Sequence, residues 1–303
     1  MTTIPGLHHV TAISGAPQPN VDFFTGTLGQ KLVKKTVNFD DPGTYHLYYG
    51  DAGGSPGTIM TFFPFADSGP GRAGPGMASA YAYAIPPAQF DRITDDLAVA
   101  GHTTAGAGLR FGERVVTLRD PDGAPVELIE SADAADTHGF HSVTLWERDP
   151  ERTLRLLTDV FGYQHSGTEQ EGPTERHRLI VPGAERGRIV DVIRVAAAQP
   201  GRQGAGTIHH VAFRARDDAE QLAWMDRLAS AGHRTTPVTD RQYFNAIYFR
   251  EPGGVLFEIA TDPPGFAIDE PADSLGQALK LPAQYEPMRA RIERVLPPLR
   301  VRA

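Results

Sequence analysis

Hydrophobic and polar positions alternate in short runs along most of the chain, and the runs end at Asp, Pro or Gly. Residues 7–14, LHHVTAIS, mix β-branched and apolar residues with two histidines and predict a strand. Residues 18–28, QPNVDFFTGTL, put Val21, Phe24 and Leu28 at helical spacing, with Asn20 a candidate N-cap and Gly29 a candidate C-cap. Three strand-like runs follow: KLVKKTVNF, TYHLYYGD and GTIMTFFPF. The order strand, helix, strand, strand, strand then recurs. A second copy has a strand at 79–85, a helix at 87–100 and two strands joined by a DPDG turn. A third begins with GFHSVTLW at 139–146 and a helix at 149–161, with Asp149 as candidate N-cap. The fourth has a strand at 207–214, a helix at 217–231 and further strands through Ile259.

The copies also align in their details. Phe140-His141-Ser142-Val143 parallels Leu7-His8-His9-Val10 and Ile208-His209-His210-Val211. Glu258 follows His210 by 48 residues, and Glu127 follows Ser79 by the same interval. A shared period in segments of different sequence points to internal duplication. The fold class is therefore α+β, built from four β-α-β-β-β modules. Loops at 66–77, 131–138 and 196–206 divide the chain into an N-terminal pair over 1–131 (modules at about 1–65 and 78–131) and a C-terminal pair from 139 (about 139–195 and 207–262). A Pro-rich tail, 263–303, follows and ends in an expected helix, AQYEPMRARIERVL.

Composition narrows the function. A net charge of −8 gives no basic face for nucleic acid and no steering toward anionic membranes. With no cysteine there is no disulfide, thiolate metal site or cysteine nucleophile. No apolar run reaches the roughly 18 residues of a membrane span, and MTTIPGLHHVTAIS lacks the pattern of a signal peptide. A cytoplasmic protein is expected.

The sharpest chemistry lies between Thr207 and Thr261. Glu258 stands inside the apolar run VLFEIA. A carboxylate there points into the protein, where an unpaired charge costs about several kcal/mol. A cation should sit beside it, and a metal held by one of the nearby histidines is the leading candidate. Glu127 is a repeat counterpart of Glu258, but Ser79 stands in place of a histidine, so no second metal site is expected. Asp191 follows His141 by 50 residues, again without a second histidine in that pair of modules.

Four such modules, with His in first strands and Glu in a last strand, resemble the vicinal oxygen chelate superfamily, and most closely its hydroquinone-type ring-cleaving dioxygenases. LHHVT at 7–11, YHLYYGD and GSPGTIMTFFP at 45–64, RFGER at 110–114, GFHS at 139–142, IHHVAF at 208–213, DRQYF at 240–244 and YFREPGGVLFE at 248–258 carry the resemblance. It implies two open mixed β-barrels or half-barrels with the helices outside. It also implies a 2-His-1-carboxylate site for Fe(II), with Mn(II) the alternative, on His9, His210 and Glu258. The catechol-type branch would take its first ligand from His141 instead. With His9, modules one and four would pair around the metal. Tyr248 and Arg241 match positions that handle substrate oxygens, and His8, His209 and Thr11 are further active-site candidates. Neighbouring strand residues face opposite ways, so His8 and His9, or His209 and His210, are not expected to ligate together. His46, Tyr243 and Phe244 are candidates for the pocket wall.

The implied function is opening of a hydroquinone or catechol-like ring with O₂, so the expected partners are a small aromatic substrate and O₂. A homo-oligomer remains open. A metal-dependent glyoxalase-type isomerase or lyase, which usually shows four protein ligands, and a metal-free binding protein of the same fold are the alternatives.

Overall fold

A computed structural model describes residues 3–102, 105–195 and 199–301. Residues 196–198 of the loop at 196–206 lie outside the described residues. The first module runs β1 (Leu7–Ser14), α1 (Pro17–Val21), β2 (Lys31–Asn38), β3 (Asp41–Gly50) and β4 (Ile59–Pro64). The second runs β5 (Met77–Ile85), α2 (Pro87–Val99), β6 (Ala105–Arg110), β7 (Glu113–Arg119) and β8 (Pro125–Glu130). The third runs β9 (Phe140–Glu147), α3 (Glu151–Arg155), β10 (Gln164–Glu171), β11 (Thr174–Ile180) and β12 (Ile189–Arg194). The fourth runs β13 (Thr207–Ala215), α4 (Asp218–Ser230), β14 (Thr239–Asp240), β15 (Phe244–Arg250) and β16 (Leu256–Pro264).

Among the described residues sixteen strands form two mixed sheets of eight, one a half-barrel and the other a nearly closed barrel, in keeping with the expected open barrels or half-barrels. One sheet has the order β14-β15-β16-β13-β1-β4-β3-β2 and the other β10-β11-β12-β9-β5-β8-β7-β6. Each module contributes its strands in the order first, fourth, third, second. Modules join edge to edge through antiparallel first strands, β1 with β13 and β5 with β9. The first sheet thus combines modules one and four, and the second combines two and three.

The helices follow the patterning with local corrections. Asp217 caps α4, accepting a hydrogen bond from the Glu220 N–H. Asn20 is not an N-cap; it is buried inside α1, where its Oδ1 accepts from the Tyr49 hydroxyl at 2.8 Å. Nor does Asp149 cap α3, whose N-cap is Pro150. Both α1 and α3 widen into π turns, over Asp22–Thr27 and Leu156–Val160. The expected C-terminal helix shrinks to a 3₁₀ turn, Glu286–Met288, and α5 (Arg289–Val295). Pro282 and Pro287 punctuate this stretch and break a longer run.

Where the sheets join at their centres, the pairing skips one residue on each first strand. Along β1 and β13 the partners are Leu7 with Phe213, then His9 with Ala212, which leaves His8 over. Further along, Thr11 pairs with His210 and Ala12 with Ile208, which leaves His209 over. Along β5 and β9 the same two shifts leave Ser79 and His141 over. A residue bulged out of a ladder can turn its side chain to its neighbour's side. This corrects the simple two-face expectation for the histidine doublets.

Candidate metal centre

His9 on β1, His210 on β13 and Glu258 on β16 come together because these strands are consecutive in the first sheet. His210 Nε2 lies 2.9 Å from Glu258 Oε2, and His9 Nε2 lies 3.4 Å from the same oxygen. The two Nε2 atoms are 3.3 Å apart. All three residues are buried, with Glu258 fully inaccessible. Yet neither carboxylate oxygen of Glu258 makes a hydrogen bond. A buried carboxylate left this way is costly unless a cation completes it. Among the described residues this is the one group of His, Asp and Glu side chains arranged to hold a metal ion. Two imidazoles and one carboxylate suit a divalent transition metal, so the residues fit the group that the sequence implies.

The electrostatics agree. Burial would push the Glu258 carboxyl up, but the imidazoles of His9 and His210 outweigh it and hold it well below the usual carboxylate range. Burial lowers His210, against the pull of Glu258, and so favours the neutral imidazole that ligates metals. Each bulged histidine adjoins its neighbour in the triad. His8 Nδ1 is 2.9 Å from His9 Nδ1, and His209 Nδ1 is 2.8 Å from His210 Nδ1. With a metal on Nε2, His9 and His210 would donate from Nδ1, and His8 and His209 would accept at Nδ1 and carry their own proton on Nε2. Burial, reinforced by His9, lowers His8, and burial together with His210 lowers His209 to about 3, so both rings are neutral at ordinary pH.

A cavity of about 440 Å³ opens on the triad. Its apolar walls include Phe39, Phe63, Phe65, Phe244 and Leu256, and its polar wall carries His46, His209, Arg241 and Tyr248. Tyr248 is the cross-strand neighbour of Glu258. Its hydroxyl accepts from Arg241 Nε at 3.1 Å, and Arg241 Nη1 reaches Asp40 Oδ2 at 3.2 Å. Gln242, at φ 69°, makes the turn after Arg241, and its N–H donates to Asp240. Burial, then the charge of Glu258, raises the Tyr248 phenol well above its ordinary value, so it stays protonated.

Several expected residues lie behind this wall. His8 packs against His9 and Phe244. Thr11 is buried, and its hydroxyl is 2.9 Å from that of Thr61, which in turn meets His46 Nε2 at 2.8 Å. Tyr243 points to the C-terminal tail and donates to Asp269 Oδ2 at 3.0 Å. Sequence reasoning missed Phe39, Asp40, Phe63 and Phe65, which come from a hairpin tip and a strand end. The FFPF cluster at 62–65 was the one signal available for two of them.

His141 lies in the second sheet and outside this group, with Nε2 3.1 Å from Glu113 Oε1 and Nδ1 3.0 Å from Ser142 Oγ. Glu127 accepts two hydrogen bonds from Arg110, at 2.6 and 2.8 Å. Asp191 is fully buried and accepts from Arg178 at 2.9 and 3.1 Å and from Arg176 at 3.2 Å.

Comparison with known proteins places this geometry in a family. The model of the Glyoxalase/Bleomycin resistance protein/Dioxygenase superfamily matches residues 6–128 and 139–259. The chain is 45% identical over 98% of its length, and 97% of the relative's, to a Bacillus subtilis (strain 168) protein named "Putative ring-cleaving dioxygenase MhqO". It is 32% identical, over 97% of its length and 96% of the relative's, to the "Chlorohydroquinone/hydroquinone 1,2-dioxygenase" of Sphingobium indicum. The crystal structure of a Bacillus subtilis "putative dioxygenase" superposes with a TM-score of 0.93 at 43% identity, over 100% of this chain and 99% of that one. Glyoxalase I from Zea mays shares the fold, with a TM-score of 0.65 at 15% identity, over 85% of this chain and 92% of that one.

Proposed function

Because the chain belongs to the Glyoxalase/Bleomycin resistance protein/Dioxygenase superfamily, we propose that it is an extradiol-type ring-cleaving dioxygenase that uses Fe(II) and O₂ to open a hydroquinone or catechol-like aromatic. The observation that carries the reading is the bare carboxylate of Glu258 facing two imidazole Nε2 atoms at the end of an aromatic-walled cavity. The relatives named above support the reaction class. Fe(II) bound there would supply Lewis acidity that favours the ionised phenol, and a path by which the electron-rich ring passes charge to O₂.

The chain's own residues supply the rest. His9, His210 and Glu258 would hold the cation at the end of the cavity. Phe39, Phe63, Phe65 and Phe244 exclude water and fit a planar ring. Arg241 fixes the Tyr248 hydroxyl oxygen, so that the phenolic proton is free to donate to a substrate oxygen. His209, neutral and protonated on Nε2, is a second donor on the cavity wall. Arg241 adds a fixed positive charge where an oxyanion develops. A glyoxalase-type isomerase would need a further carboxylate. Its place in module one, the β4 residue paired with Thr11 as Glu258 is with Ala212, is taken by Thr61.

The test is anaerobic loading with Fe(II), then O₂ and a panel of hydroquinone, methylhydroquinone and catechol. O₂ uptake matched by ring-opened product is expected. Fully iron-loaded protein that consumes no O₂ with any of them would exclude this function.

A further inference from the structure

The C-terminal tail follows the outer edge of the first sheet, passes the β2–β3 hairpin and runs on to Gln18. Phe266 packs between Tyr48 and Tyr243, with ring centroids 5.1 and 5.2 Å away. The ammonium of Lys34, buried on β2, is held by Asp269 and Glu270, each at 2.7 Å. The Lys280 N–H then donates to the Lys35 carbonyl at 2.9 Å, covering an edge strand that would otherwise be bare. Five residues on, the Tyr285 hydroxyl donates to the Phe39 carbonyl at 2.7 Å.

That last bond falls on the tip of the β2–β3 hairpin. Asn38, Phe39 and Asp40 at this tip all line the cavity. Phe39 is partly buried against the core on both sides of it. Asp40 holds Arg241, which holds Tyr248. The tip is therefore tied at two points, by Tyr285 from the tail and by Arg241 from module four. A short loop fixed at both ends presents a rigid wall, and a rigid wall discriminates by size.

We propose that Phe39 sets the bulk of the ring substituent that this pocket accepts, and that Tyr285 of the tail is the positioning residue that holds Phe39 in place. The inference rests on the reading of the cavity as the site of a hydroquinone-like ring. It makes the tail part of the substrate site and predicts a preference for small substituents over branched ones. One methylene of misfit in an apolar pocket is worth roughly 10-fold or more in discrimination, so a branched alkyl group gives a readable signal.

The experiment is anaerobic calorimetric titration of the metal-loaded full chain with hydroquinone and tert-butylhydroquinone, with O₂ uptake measured separately on the same preparations. Wild type should bind hydroquinone the more tightly of the two. Phe39→Ala should shift the ratio of dissociation constants toward tert-butylhydroquinone by about tenfold. Tyr285→Phe, which keeps the ring and removes only the hydroxyl, should shift it the same way by about threefold with an unchanged melting temperature. An unchanged ratio in Phe39→Ala would overturn the role of Phe39. A shift in Phe39→Ala but none in Tyr285→Phe would overturn the role of the tail. Shifted ratios without O₂ uptake would leave this inference standing and remove the dioxygenase reading. No binding of either ligand by wild type would remove both.

Discussion

The two sheets share one design and differ in what satisfies their buried acids. At the last-strand position opposite the first strand, the four modules carry Thr61, Glu127, Asp191 and Glu258. Three of the four are carboxylates. In the second sheet guanidinium groups satisfy them, Arg110 on Glu127 and Arg176 with Arg178 on Asp191. In the first sheet Glu258 faces two imidazoles, with Tyr248 opposite it on the next strand, and among the described residues no guanidinium bonds it. The bulges are preserved as well. Ser79 and His141 occupy the places of His8 and His209, and Ala80 and Ser142 the places of His9 and His210. Even the bond between neighbours survives: His141 Nδ1 meets Ser142 Oγ at 3.0 Å, as His209 meets His210 at 2.8 Å. A buried acid thus recurs at this position in three of the four modules, and the sheets differ in whether guanidinium or imidazole groups stand beside it.

The largest expected effect comes from the acid that lacks a guanidinium. Removing an outer-shell partner of a metal ligand typically costs roughly 10–100-fold in affinity, so Glu258→Gln should cost more than about 100-fold in metal binding. Equilibrium dialysis against Fe(II) or Zn(II) reads this directly. His8→Phe keeps an aromatic ring behind His9 but removes the acceptor at Nδ1. It should weaken metal binding by about 10–100-fold while the fold, followed by circular dichroism, stays intact. Unchanged affinity in His8→Phe would mean that the bulged histidine only packs.

The second sheet should respond in stability alone. Asp191→Ala removes the carboxylate that Arg178 and Arg176 share in the interior and should cost about 3–5 kcal/mol in urea unfolding. Its metal content should equal that of wild type. Loss of metal together with stability would break the division of labour between the sheets.

Much of this was legible in the chain, and the parts that were not have physical causes. The four modules, the ligand doublets and the lone acid of VLFEIA are local patterns, and alternation or spacing shows them. The bulges were invisible, because a ladder's register depends on a partner strand about 200 residues away. For the same reason Ser79 looked like the missing ligand, whereas pairing puts Ala80 at the ligand position and Ser79 at the bulge. His141 looked like an alternative ligand, but pairing makes it the counterpart of His209. The pocket wall at Phe39 and Asp40 was also hidden, because a hairpin tip carries no periodicity and is placed by contacts with Tyr285 and Arg241.

A separate effect, on pH dependence alone, sits where the two sheets touch. Glu147, at the end of β9, meets Glu251 of the β15–β16 turn; both are buried, and Glu251 also accepts from Thr153 at 2.6 Å and from the Val255 N–H at 2.8 Å. Burial, and then the neighbouring carboxylate of Glu251, push the Glu147 carboxyl up to about 9. The folded chain therefore holds a proton that the unfolded chain releases near the ordinary carboxyl value of 4.5. Its contribution to stability is fully present below that value and is lost progressively as pH rises toward 9. Glu147→Gln should flatten the decline of melting temperature across this window and leave metal binding untouched. A wild-type melting temperature that does not fall between those limits would contradict the shared proton.

The central claim is that the metal belongs to the first sheet, at His9, His210 and Glu258, and that His141 plays no part in holding it. Metal content per chain, measured on His9→Ala and His141→Ala after identical anaerobic loading and desalting, tests this most directly. The account predicts one metal ion per chain in wild type and in His141→Ala, and less than about one tenth of that in His9→Ala. Metal retained by His9→Ala and lost from His141→Ala would contradict it.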